Sequence, residues 1–207
     1  MSYEKGAGRS RSKAHARWAH PRTRGPHESV AIIGAGPTGL MHAMLALHRG
    51  CRRLLILQRS QTLLDLVREV MPSGTFISTL NEGPLQRVLE ETDGIGADVV
   101  IVAAPSKEAQ QLALEIVGRR GRVSFFGGLP HGDPVASLNS NTSTTKECLV
   151  PGASSSTSQQ NQKALALLGS GAVRGRDLVT HMYSLGHIEE ALETARDKVG
   201  LKVVARP

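Results

Sequence analysis

The sequence predicts an α/β fold: a doubly wound parallel sheet of about six strands with helices on both faces. Three observations predict it. Short apolar runs alternate strictly with helix-like stretches from residue 29 to residue 126. The runs are continuous rather than alternating in polarity, which is the pattern of strands buried on both faces. The core has to be aliphatic, because 40% of the 207 residues are hydrophobic and only 3% are aromatic.

Val30, Ala31, Ile32 and Ile33 form the first apolar run and end at Gly34. Residues 38–49 read as a helix stopped by Gly50. Leu54 to Leu57 form the second run. Ser60 follows as an N-cap, with Leu63, Leu64, Val67 and Val70 on one helical face. Pro72 and Gly74 end that helix. Residues 75–78 read as a short third strand, and residues 84–91 as a helix with Pro84 in its first turn. Residues 98–103 read as a fourth strand. Ser106 caps a helix carrying Leu112, Leu114, Ile116 and Val117. Residues 122–126 form a fifth strand closed by Gly127 and Gly128. Helical crossovers between continuous apolar strands specify a parallel, doubly wound sheet. Residues 148–153 are expected to add a sixth strand, with Pro151 at an edge or bulge. The Ser/Thr/Gln-rich residues 153–162 read as a loop. Residues 161–168 and 188–198 read as helices, and residues 201–205 as a last strand.

The formal charge of +7 is uneven. Residues 1–27 hold seven basic side chains (Lys5, Arg9, Arg11, Lys13, Arg17, Arg22, Arg24) and one acid, Glu4, for a net +6; this leaves +1 for the rest. The high isoelectric point thus describes a tail, and the folded part is not read as a nucleic-acid binder. Residues 1–28, rich in Arg, Ser, His and Gly, are expected to be a basic, disordered tail. A nucleic-acid-touching arm, an organelle transit peptide and a remnant of a truncated upstream domain are the other readings of such a segment. No apolar run approaches the roughly 18 residues of a membrane span. Cys51 and Cys148 stand in no CxxC or Cys/His cluster, which excludes a disulfide scaffold and a structural zinc site and points to a reducing, cytoplasmic setting.

The motif that carries chemistry is Gly34-Ala35-Gly36-Pro37-Thr38-Gly39, a GxGxxG between a strand and a helix. Gly34 permits the tight turn, Gly36 lets backbone approach a pyrophosphate, and Gly39 lets the helix pack close to the strand. The helix start, with Pro37 and Thr38, offers N–H groups and a positive dipole end to phosphates. The expected ligand is NAD or NADP on a Rossmann-like sheet. An acid that would hold the adenosine ribose is expected at the end of the second strand. Gln58 stands there, followed by Arg59, which removes the repulsion of a 2′-phosphate and adds a cation. This favours NADP slightly, or a relaxed choice between the two cofactors; Arg59 as an ordinary surface charge is the alternative.

The segments VAIIGAGPTGL, TDGIGADVVI, RRGRVSFFGGLP, LVTHMYSL and GLKVV resemble, in order and spacing, the medium-chain, zinc-type alcohol and polyol dehydrogenases, sorbitol and threonine dehydrogenases among them. The resemblance runs from about Gly25 to the end. It implies a cofactor laid across the sheet, with the pyrophosphate at Gly36–Gly39, Ala103 at the end of the fourth strand near it, Phe126-Gly127-Gly128 flanking the nicotinamide side, and Lys202 reaching the pyrophosphate. It also implies that residues 29–173 are the NAD(P)-binding domain, that residues 174–207 pack back on a catalytic domain, and that residues 148–153 pair two copies into a dimer.

Departures from the family pattern bear on activity. Nothing before Ser29 matches the GroES-like catalytic domain that supplies zinc ligands, so no zinc is expected in this chain and little turnover from it alone. His15, His20 and His27 lack acid or Cys partners; His42 and His48 read as packing or surface residues, and His181 as part of a loop. Pro105 stands where a glycine is usual, Ser154-Ser155 where Phe-Gly is common, and Met182 where Arg or Lys is usual. The functional expectation is the dinucleotide-binding part of an alcohol or polyol dehydrogenase. A non-catalytic dinucleotide-binding or interaction module is the alternative.

Overall fold

The computed structural model describes residues 27–80, 83–152 and 154–207. Most of the expected tail, residues 1–26, lies outside the described residues. Glu28, placed in that tail by the sequence, belongs to the folded part. Its carbonyl accepts the Arg52 N–H at 2.8 Å, and its carboxylate pairs with Arg122 at 2.6 Å.

Five strands form one parallel sheet in the order β3-β2-β1-β4-β5. They are β1 (Ser29–Ile33), β2 (Arg53–Gln58), β3 (Thr75–Ser78), β4 (Ala97–Val102) and β5 (Val117–Phe125). The crossovers are α1 (Pro37–His48), α2 (Gln61–Val70), α3 (Pro84–Glu91) and α4 (Lys107–Ile116). Ile33 stands opposite Leu57 on one side and Val102 on the other. The chain therefore leaves β1 toward one half of the sheet and returns at β4 to begin the other. The crevice between β1 and β4 is the place where ligands bind in open sheets of this kind.

Because successive strand side chains point to opposite faces, the continuous apolar runs fill two cores. Val30, Ile32, Leu54, Ile56, Val99 and Ile101 face Leu40, Met44, Leu45 and Val67 from α1 and α2. Ala31, Ile33, Leu55, Leu57, Val100 and Val102 face Val88, Ala113, Leu114 and Ile116 from α3 and α4. Ser60 and Ser106 cap α2 and α4 as the sequence indicates, accepting the N–H groups of Leu63 and Ala109.

The sixth strand does not form. Residues 148–152 contribute a single parallel bridge, Arg122 with Leu149, carried by Leu149 N–H to Gly121 O at 2.9 Å and Val123 N–H to Leu149 O at 2.8 Å. Pro151 has no N–H to extend the ladder, and Val150 is exposed. The residues read as a loop up to 162 are helical from Ser158, where α6 (Ser158–Gly169) begins behind a capping box of Thr157 and Gln160. Before it lies α5 (Ser140–Lys146), whose SNTSTTK sequence has no apolar period.

The C-terminal part contains a two-stranded parallel sheet of β6 (His181–Ser184) and β7 (Val203–Arg206), with α7 (Ile188–Arg196) between them. His181 thus lies in a strand, not a loop. Val173, Leu178 and Leu201 are buried in the core beneath α1. Met182, Leu185, Ile188, Leu192 and Val199 are exposed. No helix among the described residues is long and apolar enough to cross a membrane.

Candidate functional site

The carboxyl ends of β1, β4 and β5 meet around one peptide. Gly34 has φ +103°, a left-handed value that disfavours a side chain, and a Cβ there would stand 3.0 Å from Ala104 N and 3.2 Å from Ala103 C. From the other side, a Cβ on Gly127 would stand 2.8 Å from Ala104 O and 3.1 Å from Ala103 C. The Ala103–Ala104 peptide is therefore held between two glycines. Hydrogen bonds fix the same junction: Gly34 N–H to Leu57 O at 2.8 Å, Ala103 N–H to Ile33 O at 2.8 Å, and Gly127 N–H to Val102 O at 2.8 Å.

The turn leads directly into α1. A Cβ on Gly39 would meet the Gly34 carbonyl oxygen at 1.9 Å, so the helix can lie this close to β1 only without one. Gly36 is the N-cap, with φ −68° and ψ 178° and no side-chain cap; Pro37 follows in the first turn, which holds no acid. A Cβ on Gly36 would have nothing within 4 Å, so the backbone there faces open space. Four other helices, α2, α4, α5 and α6, are capped by side chains of Ser60, Ser106, Asn139 and Thr157. An uncapped glycine start, half-buried at the β1–β4 crevice, leaves backbone amides and the positive end of the helix dipole for an anion. Thr38, in the first turn, is half-buried, and Gly128, past the end of β5, also has open space around it.

Gln58 and Arg59 stand at the same end of β2. The Gln58 side-chain oxygen accepts the Arg59 N–H at 2.9 Å, and the Gln58 carbonyl accepts Thr79 N–H at 3.0 Å. Arg59 is exposed, and among the described residues no carboxylate lies within ion-pair distance of it. Its field still reaches α4: the Ser106 hydroxyl first, then the backbone amide of Glu108 and the charges of Arg59 and Lys107, hold the Glu108 carboxyl below the ordinary carboxylate range.

Sequence reasoning places Gly34, Gly36, Pro37, Thr38, Gly39, Ala103, Phe126, Gly127 and Gly128 in one site, and the structure gathers the strand ends and helix start that carry them. Lys202 stands just before β7, its carbonyl accepting Thr180 N–H at 3.0 Å. Two contributors escape the sequence signals. Ala104 supplies the surface on which Gly34 and Gly127 close. His42, on α1, is fully buried with its ring edge-on to Phe126, centroids 4.7 Å apart at 79°. His48 is exposed.

No group of three or more His, Cys, Asp or Glu side chains among the described residues is placed to hold a metal ion. The donors among the described residues therefore do not fit a zinc ion. Burial pushes the thiols of Cys51 and Cys148 up, which leaves neither as a ready thiolate.

With this geometry in view, the similarities to known proteins become specific. Residues 37–170 match the family model described as zinc-binding dehydrogenase. The chain is 28% identical over 179 residues to L-threonine 3-dehydrogenase of Bacillus licheniformis, an alignment covering 86% of this chain and 51% of that protein. It matches the solved structure of the alcohol dehydrogenase TADH from Thermus sp. ATN1 at 29% identity and a TM-score of 0.84, over 97% of this chain and 58% of that one. At 20% identity, a zinc-binding dehydrogenase of Sinorhizobium meliloti 1021, solved bound to NADP, shares the fold with a TM-score of 0.83, over 97% of this chain and 58% of that one. The chain spans about half the length of the curated relatives it matches. Carrying the sheet order, the glycine turn and a family match over most of its length, the chain belongs to the zinc-binding dehydrogenase family.

Proposed function

We propose that the described residues form the NAD(P)-binding part of an alcohol or polyol dehydrogenase, holding the dinucleotide for hydride transfer between the nicotinamide and a secondary alcohol or sugar alcohol. The observation that carries this reading is the open backbone at Gly36, set at the start of α1 and at the β1–β4 crevice. The α1 amides take the pyrophosphate, Ala103 and Ala104 floor the crevice, and the Phe126-Gly127-Gly128 turn borders the nicotinamide. Lys202 reaches toward the pyrophosphate from the C-terminal unit. The bound nicotinamide supplies the hydride acceptor; the chain's own residues bind and orient it.

Arg59, exposed and without an ion-pair partner among the described residues, favours NADP by facing the 2′-phosphate beyond the adenosine ribose. The described residues alone bind dinucleotide without turnover, because they present no donor set for the family's metal. The exposed apolar row of Met182, Leu185, Ile188 and Leu192 is the surface on which residues 174–207 meet a catalytic domain. Residues 148–153 are the segment through which two copies pair, with Leu149 bridged to Arg122 of β5. Two unpaired thiols, Cys51 and Cys148, suit a cytoplasmic setting. Titrating the chain with NAD and NADP by calorimetry, and with their reduced forms by nicotinamide fluorescence, tests the reading; saturable binding supports it, and its absence in a folded chain contradicts it.

A further inference from the structure

We propose that His42 is a positioning residue for the nicotinamide end of the site, acting through Phe126; the inference rests on the dinucleotide reading above. His42 lies one helical turn after Thr38 on α1, so it sits directly behind the amides that face the pyrophosphate. It is the only ring among the buried residues of α1, whose other members are Gly39, Leu40, Met41, Ala43, Met44, Leu45 and Ala46. Its imidazole is 0% exposed and meets Phe126 edge-on, with centroids 4.7 Å apart and planes at 79°. An edge-to-face pair is directional in a way that an aliphatic contact is not, because the positive rim of one ring seeks the negative face of the other.

Phe126 adds a side-chain contact between the α1 side of the site and the turn after β5. Its N–H donates to Val102 O at 2.9 Å and the Gly127 N–H donates to the same oxygen at 2.8 Å, which pins the turn to β4. The backbone of the turn is thus fixed from the sheet and its ring from the helix. His42 sets the distance between the α1 amides and the Gly127-Gly128 backbone, and so aligns the two ends of one extended ligand. A misplacement there costs affinity only for a ligand long enough to use both ends.

The experiment compares two ligands on the full chain by titration calorimetry: ADP-ribose, which ends before the nicotinamide, and the reduced dinucleotide, whose fluorescence also reports the nicotinamide surroundings. His42→Leu and His42→Gln are expected to leave ADP-ribose affinity within about twofold, weaken the reduced dinucleotide by about five- to tenfold, and move the emission of the bound nicotinamide. His42→Phe, which restores a ring, is expected to recover most of the dinucleotide affinity. Equal losses for both ligands, or no loss for either, overturn the inference while leaving the dinucleotide reading standing. A wild-type chain that is folded and binds neither ligand overturns both. If His42→Leu does not fold, the ratio measured for His42→Gln against His42→Phe decides the matter.

Discussion

A Cβ built on Gly39 would lie 1.9 Å from the carbonyl oxygen of Gly34, so the first helix and the first strand are locked at a separation that only glycine allows. The atom in the way is backbone, which has no rotamer to change. Gly39→Ala must push α1 off β1, moving the phosphate-facing amides with it. Overpacking of this kind costs about 1–3 kcal/mol or more. Urea unfolding should show a loss in that range, together with weaker dinucleotide binding. An unchanged midpoint would mean that the helix does not sit this close.

Arg59→Ala separates the two cofactors. The guanidinium is exposed at the end of β2, and a 2′-phosphate is the ligand group it can pair with. NADP affinity is expected to fall by about tenfold, with NAD affinity changed by less than about twofold. Raising the salt concentration should erode the NADP advantage of the wild type. Equal effects on both cofactors would show Arg59 to be an ordinary surface charge.

Glu28 and Arg122 form an ion pair at 2.6 Å with side chains only 11% and 10% exposed. It ties the residue before β1 to β5, at the sheet end away from the site. Removing one partner leaves the other buried without its counter-charge, a change that costs about 3–5 kcal/mol. Glu28→Gln or Arg122→Met should therefore lower the thermal midpoint strongly, while a double substitution to apolar residues should recover part of the loss. Single variants as stable as the wild type would contradict the pairing.

Glu147 gives a sign-defined pH effect. Hydrogen bonds from Arg119 and Arg120 bring its carboxyl down to about 2. Since the folded value lies below the ordinary one of 4.5, the contribution is present above that ordinary value and is lost as pH falls toward about 2. The group is fully exposed, so salt should screen the effect. Carboxyl chemical shifts followed by NMR from pH 6 to pH 1.5 check it, and a midpoint near 4.5 at low salt would contradict it.

Much of this architecture is legible in the chain because local signals coincide with the tertiary ones. Strand β3 and helix α3 run over the residues that the sequence marks, since Gly74, Pro84 and the apolar periods agree on their limits. Two of the failures have opposite causes. Residues 148–153 look like a strand in composition, yet Pro151 removes the N–H that a ladder needs. Helix α5 offers no apolar period at all; its start rests on Asn139 capping Asn141 N–H, and Lys146 near its end donates to the carbonyls at the end of α4. At the site, the glycines of the turn are legible because their spacing encodes a local conformation. The pinching of Ala103–Ala104 between Gly34 and Gly127, and the contact of His42 with Phe126, join residues far apart in sequence. No local pattern records them, and a lone histidine in an apolar helix reads as packing.

The most direct measurement is dinucleotide titration of the wild type beside Gly36→Ala. Gly36 has an extended conformation open to side chains, and a Cβ there would touch nothing within 4 Å, so the variant should melt with the wild type. The methyl would instead occupy the space where a pyrophosphate approaches, and affinity should fall by about tenfold or more for both NAD and NADP. A Gly36→Ala protein that binds as tightly as the wild type, or a folded wild type that binds neither dinucleotide at millimolar concentration, would contradict the account.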